Sequence, residues 1–107
     1  MSDSAPALPA LAGFQKRHLR SLAQRLDPVV WVGDEGLSPG VLRALREALV
    51  AHELVKVRMR APADKRAAAA ELAAIGGAVL VGLIGHTVIL FRANPDAPKI
   101  EFPTRDA

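Results

Sequence analysis

The stretch Val29-Val30-Trp31-Val32-Gly33-Asp34-Glu35-Gly36-Leu37-Ser38-Pro39-Gly40 constrains the fold of this chain more than any other. Val, Val, Trp and Val favour a pleated, buried strand. Gly33 to Gly36 then brackets a loop. Ser38 is a good N-cap, because its hydroxyl accepts an otherwise orphaned backbone N–H. Pro39 suits the first helical position, where no N–H is needed. The local order is strand, G-x-x-G loop, helix. The two glycines permit positive φ and leave the backbone approachable. The helix start behind them attracts anions, of which phosphate is the natural candidate.

Residues 1–10 carry Pro6 and Pro9 among small residues and read as a loose tail. From Leu11 to Leu26 the period is helical. Leu11, Leu19, Leu22 and Leu26 share one face, while Lys16, Arg17, Arg20 and Gln24 share the other. Asp27-Pro28 ends that helix. A second helix runs from Pro39 to about His52, with Val41, Leu42, Leu45, Ala48 and Leu49 inward and Arg43 and Glu47 outward. Leu54 to Arg60 alternates strictly: Val55, Val57 and Met59 point one way, Lys56, Arg58 and Arg60 the other. Lys65 to Ile75 is alanine-rich and helical, and Gly76-Gly77 stops it. Val79–Ile84 and Thr87–Arg92 are β-prone runs joined by Gly85-His86, a pair suited to a type II′ turn.

The expected order is therefore α-β-α-β-α-β-β, an α/β (α+β two-layer) fold. Two strand–helix–strand units predict parallel pairs with right-handed crossovers, and the closing hairpin is antiparallel. The result is a mixed four-stranded sheet with helices mainly on one face. Residues 11–93 form the domain. Residues 94–107, with Pro95, Pro98 and Pro103, form an extended, mobile tail that Ile100 and Phe102 can tack down.

At 107 residues the chain suffices for one domain with its own core. It has no cysteine, which excludes disulfides, zinc–thiolate sites and thiol catalysis. The first residues lack the pattern of a signal peptide, and no apolar run approaches the ~20 residues of a membrane span. A cytoplasmic, monomeric protein is expected. Fourteen Lys+Arg against eleven Asp+Glu give a net charge of +3, so placement of charge matters more than its sum.

The loop is no nucleotide-binding P-loop, since no Gly-Lys-Ser/Thr follows, and it lacks the third glycine of a dinucleotide fingerprint. A GXXG loop that clamps a nucleic-acid backbone is a known device of RNA-binding domains. Asp34 and Glu35 repel phosphate if they face it; alternatively they point away, or serve as ordinary anions at the helix start. No carboxylate lies between Asp3 and Asp27, so Lys16, Arg17 and Arg20 lack ion-pair partners on their own helix. That arrangement favours an external anionic partner over a merely solvated face. Lys56, Arg58 and Arg60 fit either an RNA surface or a guarded strand. Trp31, the only tryptophan, is expected in the core, with base stacking as the alternative. His18, His52 and His86 show no metal-ligand spacing. His52 is expected to pack or cap. His86, at a hairpin tip, either touches phosphate or is a plain turn residue. No nucleophile–base pair and no cofactor motif is evident, so an enzyme is not expected and neither cofactor nor metal is implied.

The segments Asp27–Ser38, His52–Arg58 and Leu83–Arg92 resemble the CRM-domain family, which includes bacterial YhbY-type proteins and RNA-binding domains of plant chloroplast splicing factors. The likeness spans about residues 11–102. It implies a fold like the C-terminal domain of translation initiation factor 3 with an added first helix. It also implies RNA binding and, for bacterial members, association with precursors of the large ribosomal subunit. The family's GXXG loop falls on Gly33, Asp34, Glu35 and Gly36, and its basic helix on Lys16, Arg17 and Arg20. The family usually has lysine where Asp34 stands, and lysine or histidine at His86.

The first expectation is thus an RNA-binding protein acting on ribosomal RNA in precursors of the large subunit. The alternative is a module that docks on a ribosomal protein or assembly factor. A small-molecule phosphate enzyme would need an acid or base in a deep pocket, for which the sequence offers no candidate.

Overall fold

A computed structural model describes residues 11–60 and 62–102. Its elements are α1 (Gly13–Ala23), β1 (Val30–Val32), α2 (Pro39–His52), β2 (Leu54–Met59), α3 (Lys65–Gly76), β3 (Val79–Ile84) and β4 (Thr87–Phe91). Local chemistry sets the boundaries. The Ser38 hydroxyl accepts the Val41 N–H at 3.3 Å to start α2, and the Asp64 carboxylate accepts the Ala67 N–H at 3.1 Å to start α3. Gly77, at φ +62°, ends α3 in the left-handed conformation.

The sheet order is β1-β2-β4-β3. Only β1 and β2 pair in parallel; β4 is antiparallel to both its neighbours. The expectation of parallel pairs from both strand–helix–strand units is corrected here. Gly85, at φ +59°, lets β4 fold back beside β3, and β4 then lies between β3 and β2. The physical reason is burial. Val88, Ile89, Leu90 and Phe91 are buried without alternation, and the inner position lets α2 and α3 cover Val88 and Leu90 on one face while α1 covers Ile89 and Phe91 on the other. The partly exposed β3, with a register shift between Leu80 and Gly82, takes the edge.

Helices α2 and α3 cover one face. Leu45, Leu49, Ala69 and Leu72 pack there against Val30, Val55, Val57, Val88 and Leu90. The two helices come close where Gly76 lies: a Cβ there would stand 3.1 Å from Leu49 Cδ1. Helix α1 covers part of the opposite face, where Leu19 and Ala23 meet Leu54, Val81, Ile89 and Phe91. The helix stops at Ala23 rather than near Leu26. Leu26 lies beyond it, and both Leu26 and Leu22, which is inside the helix, are exposed instead of completing its apolar face.

The segment after β4 lacks helix and strand but is held rather than loose as far as Phe102. Glu53, only 1% exposed, caps α2 at φ +62°. Its carboxylate accepts the N–H groups of Asn94 at 2.6 Å, Lys99 at 2.8 Å and Ile100 at 3.0 Å. Burial pushes this carboxyl up, but the backbone donors and nearby Lys99 outweigh it and hold the pKa below its ordinary value. Phe102 packs edge-on to Phe91, with centroids 5.5 Å apart, and His18 Nε2 lies 3.1 Å from the Glu101 carbonyl oxygen. The expected N-terminal tail, residues 1–10, and the tail beyond Phe102 lie outside the described residues.

Candidate nucleic-acid interface

Because β1 and β2 are parallel and β4 opposes β2, three features meet at one end of the sheet: the loop after β1, the end of β2 and the β3–β4 turn. The loop is a closed turn. The Gly36 N–H donates to the Gly33 carbonyl at 3.0 Å, and the Ser38 N–H donates to the Gly36 carbonyl at 3.0 Å. The Gly36 amide is therefore committed internally. Among the described residues, the N–H groups of Asp34, Glu35 and Leu37 have no acceptor.

The glycines differ in cause. Gly36, at φ +70°, needs a residue without Cβ. Gly33 has neither a positive φ nor any atom within 4 Å of where a Cβ would sit. Among the described residues nothing in the fold demands glycine at 33, and the backbone there is open on its outer side.

Asp34 and Glu35 are exposed. Asp34 turns toward β2, with Oδ1 3.5 Å from Arg60 Nε. Beside it lies a shallow surface depression lined by Trp31, Gly33, Arg58, Arg60 and His86. Arg60, expected only as part of a cationic strand face, thus belongs to the loop end. Trp31 is 64% exposed, which corrects its assignment to the core. Val30 and Val32 face α2 and α3, so Trp31 faces the other side, beyond the reach of α1. His86 is exposed at the hairpin tip; Gly85 has the positive φ of a type II′ first position, and His86 does not share it.

The other expected residues are distributed differently. Among the described residues Lys16 and Arg17 have no carboxylate in ion-pair reach. Arg20 is partly structural: its guanidinium donates to the Val81 carbonyl at 3.1 Å, and its chain lies over Gly82. Lys56 does not join the loop. Its ammonium donates to the Leu26 carbonyl at 3.0 Å and borders an apolar groove with Leu22, Leu26, Val29 and His52. His52 is exposed there and neither packs nor caps; Glu53 is the cap. Among the described residues no group of three or more His, Cys, Asp or Glu is placed to hold a metal, and no helix is long and apolar enough to cross a membrane.

The family described as the CRS1 / YhbY (CRM) domain matches residues 11–92. The chain belongs to this family. Among CRM-domain relatives, it is 37% identical over 95 residues to the Bacillus subtilis protein named "Probable RNA-binding protein YqeI", covering 87% of this chain and 99% of that one. It is 39% identical over 101 residues to a Haemophilus influenzae protein named "RNA-binding protein", covering 92% and 100%. A similar fold occurs in the solution structure of a hypothetical Staphylococcus aureus protein, described as a candidate RNA binding protein. That comparison gives a TM-score of 0.75 and 32% identity, with 88% of this chain and 100% of the other covered.

Proposed function

We propose that this CRM-domain protein binds RNA without catalysing a reaction on it, and that its target is ribosomal RNA in precursors of the large subunit during cytoplasmic ribosome assembly. It acts as a monomer and uses no cofactor. One observation carries the reading: unbonded amides on an exposed G-x-x-G turn stand beside Arg58, Arg60 and His86. Those amides and cations suit phosphate oxygens, and Lys16 and Arg17 extend the contact along α1. The names of the relatives support the same partner class. Arg20 and Lys56 divide their donors between the fold and the RNA.

Phosphate contacts position a protein without reading sequence, so preference among RNA sequences is slight. About five such contacts on single-stranded RNA give a log–log salt slope of roughly −3.5. Replacing Lys16 and Arg17 by alanine lowers affinity alike for unrelated sequences and flattens that slope by roughly 1.4. Unchanged affinity and slope would remove α1 from the interface. Co-sedimentation with large-subunit precursors that disappears after RNase treatment supports the ribosomal assignment; co-sedimentation that survives RNase points to a protein-docking module instead.

A further inference from the structure

The open face of the sheet carries a row of four residues, of which RNA binding through the loop and α1 engages only Arg58. Trp31 is in register with Arg58, Arg58 with Thr87, and Thr87 with Ile84, one residue from each strand. All four alternate with residues that face α2 and α3, so they share the side on which α1 packs. Yet α1 covers the neighbouring part of that face, around Val81 and Ile89, and leaves this row open. Trp31 and Ile84 are each 64% exposed. A tryptophan on a paired strand, left out of the core, forgoes one of the largest burial gains a side chain can make.

We propose that Trp31 is a stacking platform for one unpaired RNA base, held between Arg58 and the Gly33 turn. The inference rests on the RNA-binding reading above and deepens it: the ligand is single-stranded at this point. The flat apolar ring is fixed on a strand, so little freedom is lost when a base covers it. Arg58, Arg60 and His86 line the same depression; among the described residues Asp34 is the carboxylate beside it, set against Arg60 at 3.5 Å, and Arg58 has no acidic partner. An occupant with an apolar face and anionic flanks satisfies both features, and a nucleotide has that form. An apolar protein segment would use the ring but not the cations. The adjoining amides of Asp34 and Glu35, which have no acceptor among the described residues, can take a neighbouring phosphate.

Trp31 is the only tryptophan, so intrinsic fluorescence reports this site alone. The probes are a single-stranded oligoadenylate of about 12 nucleotides, an abasic strand of equal length and a duplex, with binding followed by fluorescence and by anisotropy of an end label. The oligoadenylate quenches Trp31; the abasic strand and the duplex bind without quenching. Trp31→Ala and Trp31→Leu each weaken oligoadenylate binding by roughly 5- to 150-fold, leave abasic binding unchanged, and keep the circular dichroism spectrum and melting temperature of the parent. Trp31→Phe retains most of the affinity. Unchanged oligoadenylate affinity in the Ala and Leu variants, with or without quenching in the parent, overturns the stacking assignment, leaves the patch to a protein partner and spares RNA binding. Failure of the parent to bind any of the probes overturns both readings.

Discussion

Asp34 and Arg60 form an ion pair across the mouth of the loop, with Oδ1 3.5 Å from Nε. Both side chains are open to water, so the pair adds little to stability. Its effect is on the interface, where it sets a carboxylate against a cation that phosphate would otherwise use. Asp34→Lys is expected to tighten single-stranded RNA binding and to steepen the log–log salt slope by roughly 0.7 for each further phosphate neutralised. Asp34→Asn should tighten binding less, and both variants should melt within about 0.5 kcal/mol of the parent. Binding isotherms at several salt concentrations check the slope; weaker binding by Asp34→Lys would mean that the loop does not face RNA.

The two loop glycines separate folding from binding. Gly36→Ala places a Cβ in the left-handed region at φ +70° and should cost about 1–2 kcal/mol of stability. Gly33→Ala meets open space and should leave the unfolding free energy within about 0.5 kcal/mol. RNA affinity should nevertheless fall in Gly33→Ala, because the new methyl stands on the approach to the free amides. Urea denaturation beside RNA titration tests the split; a Gly33→Ala protein that binds normally would free this glycine of any role in binding.

The Glu53 clamp predicts a pH dependence of stability. The folded carboxyl titrates below the ordinary value of 4.5, so the folded state favours the charged form. Its contribution is complete above the unfolded value and is lost as pH falls through the lowered folded one. Glu53→Gln should cost about 2–3 kcal/mol near neutrality, since one carboxamide oxygen replaces a carboxylate that accepts three N–H groups. The deficit should shrink under acid. Melting curves of both proteins from neutral to acid pH would show it; a pH-independent deficit would assign the loss to packing instead of charge.

Much of this protein was legible in local pattern. The alternation of Val55, Val57 and Met59 with Lys56, Arg58 and Arg60, the cap at Ser38 and the breaker at Gly76-Gly77 each act over a few residues, so seven elements follow in the right order. The loop is likewise local, because Gly33 and Gly36 close their own turn. Tertiary structure alone decided the rest. Strand order turned on β4, whose apolar residues required cover from both sides, and no short-range pattern names the neighbours that supply it. Period two places Trp31 opposite Val30 and Val32, but its exposure depends on which part of that face α1 covers. The tail is held because a carboxylate at position 53 captures amides 41 to 47 residues further on, an arrangement that exists only once the chain has closed around it.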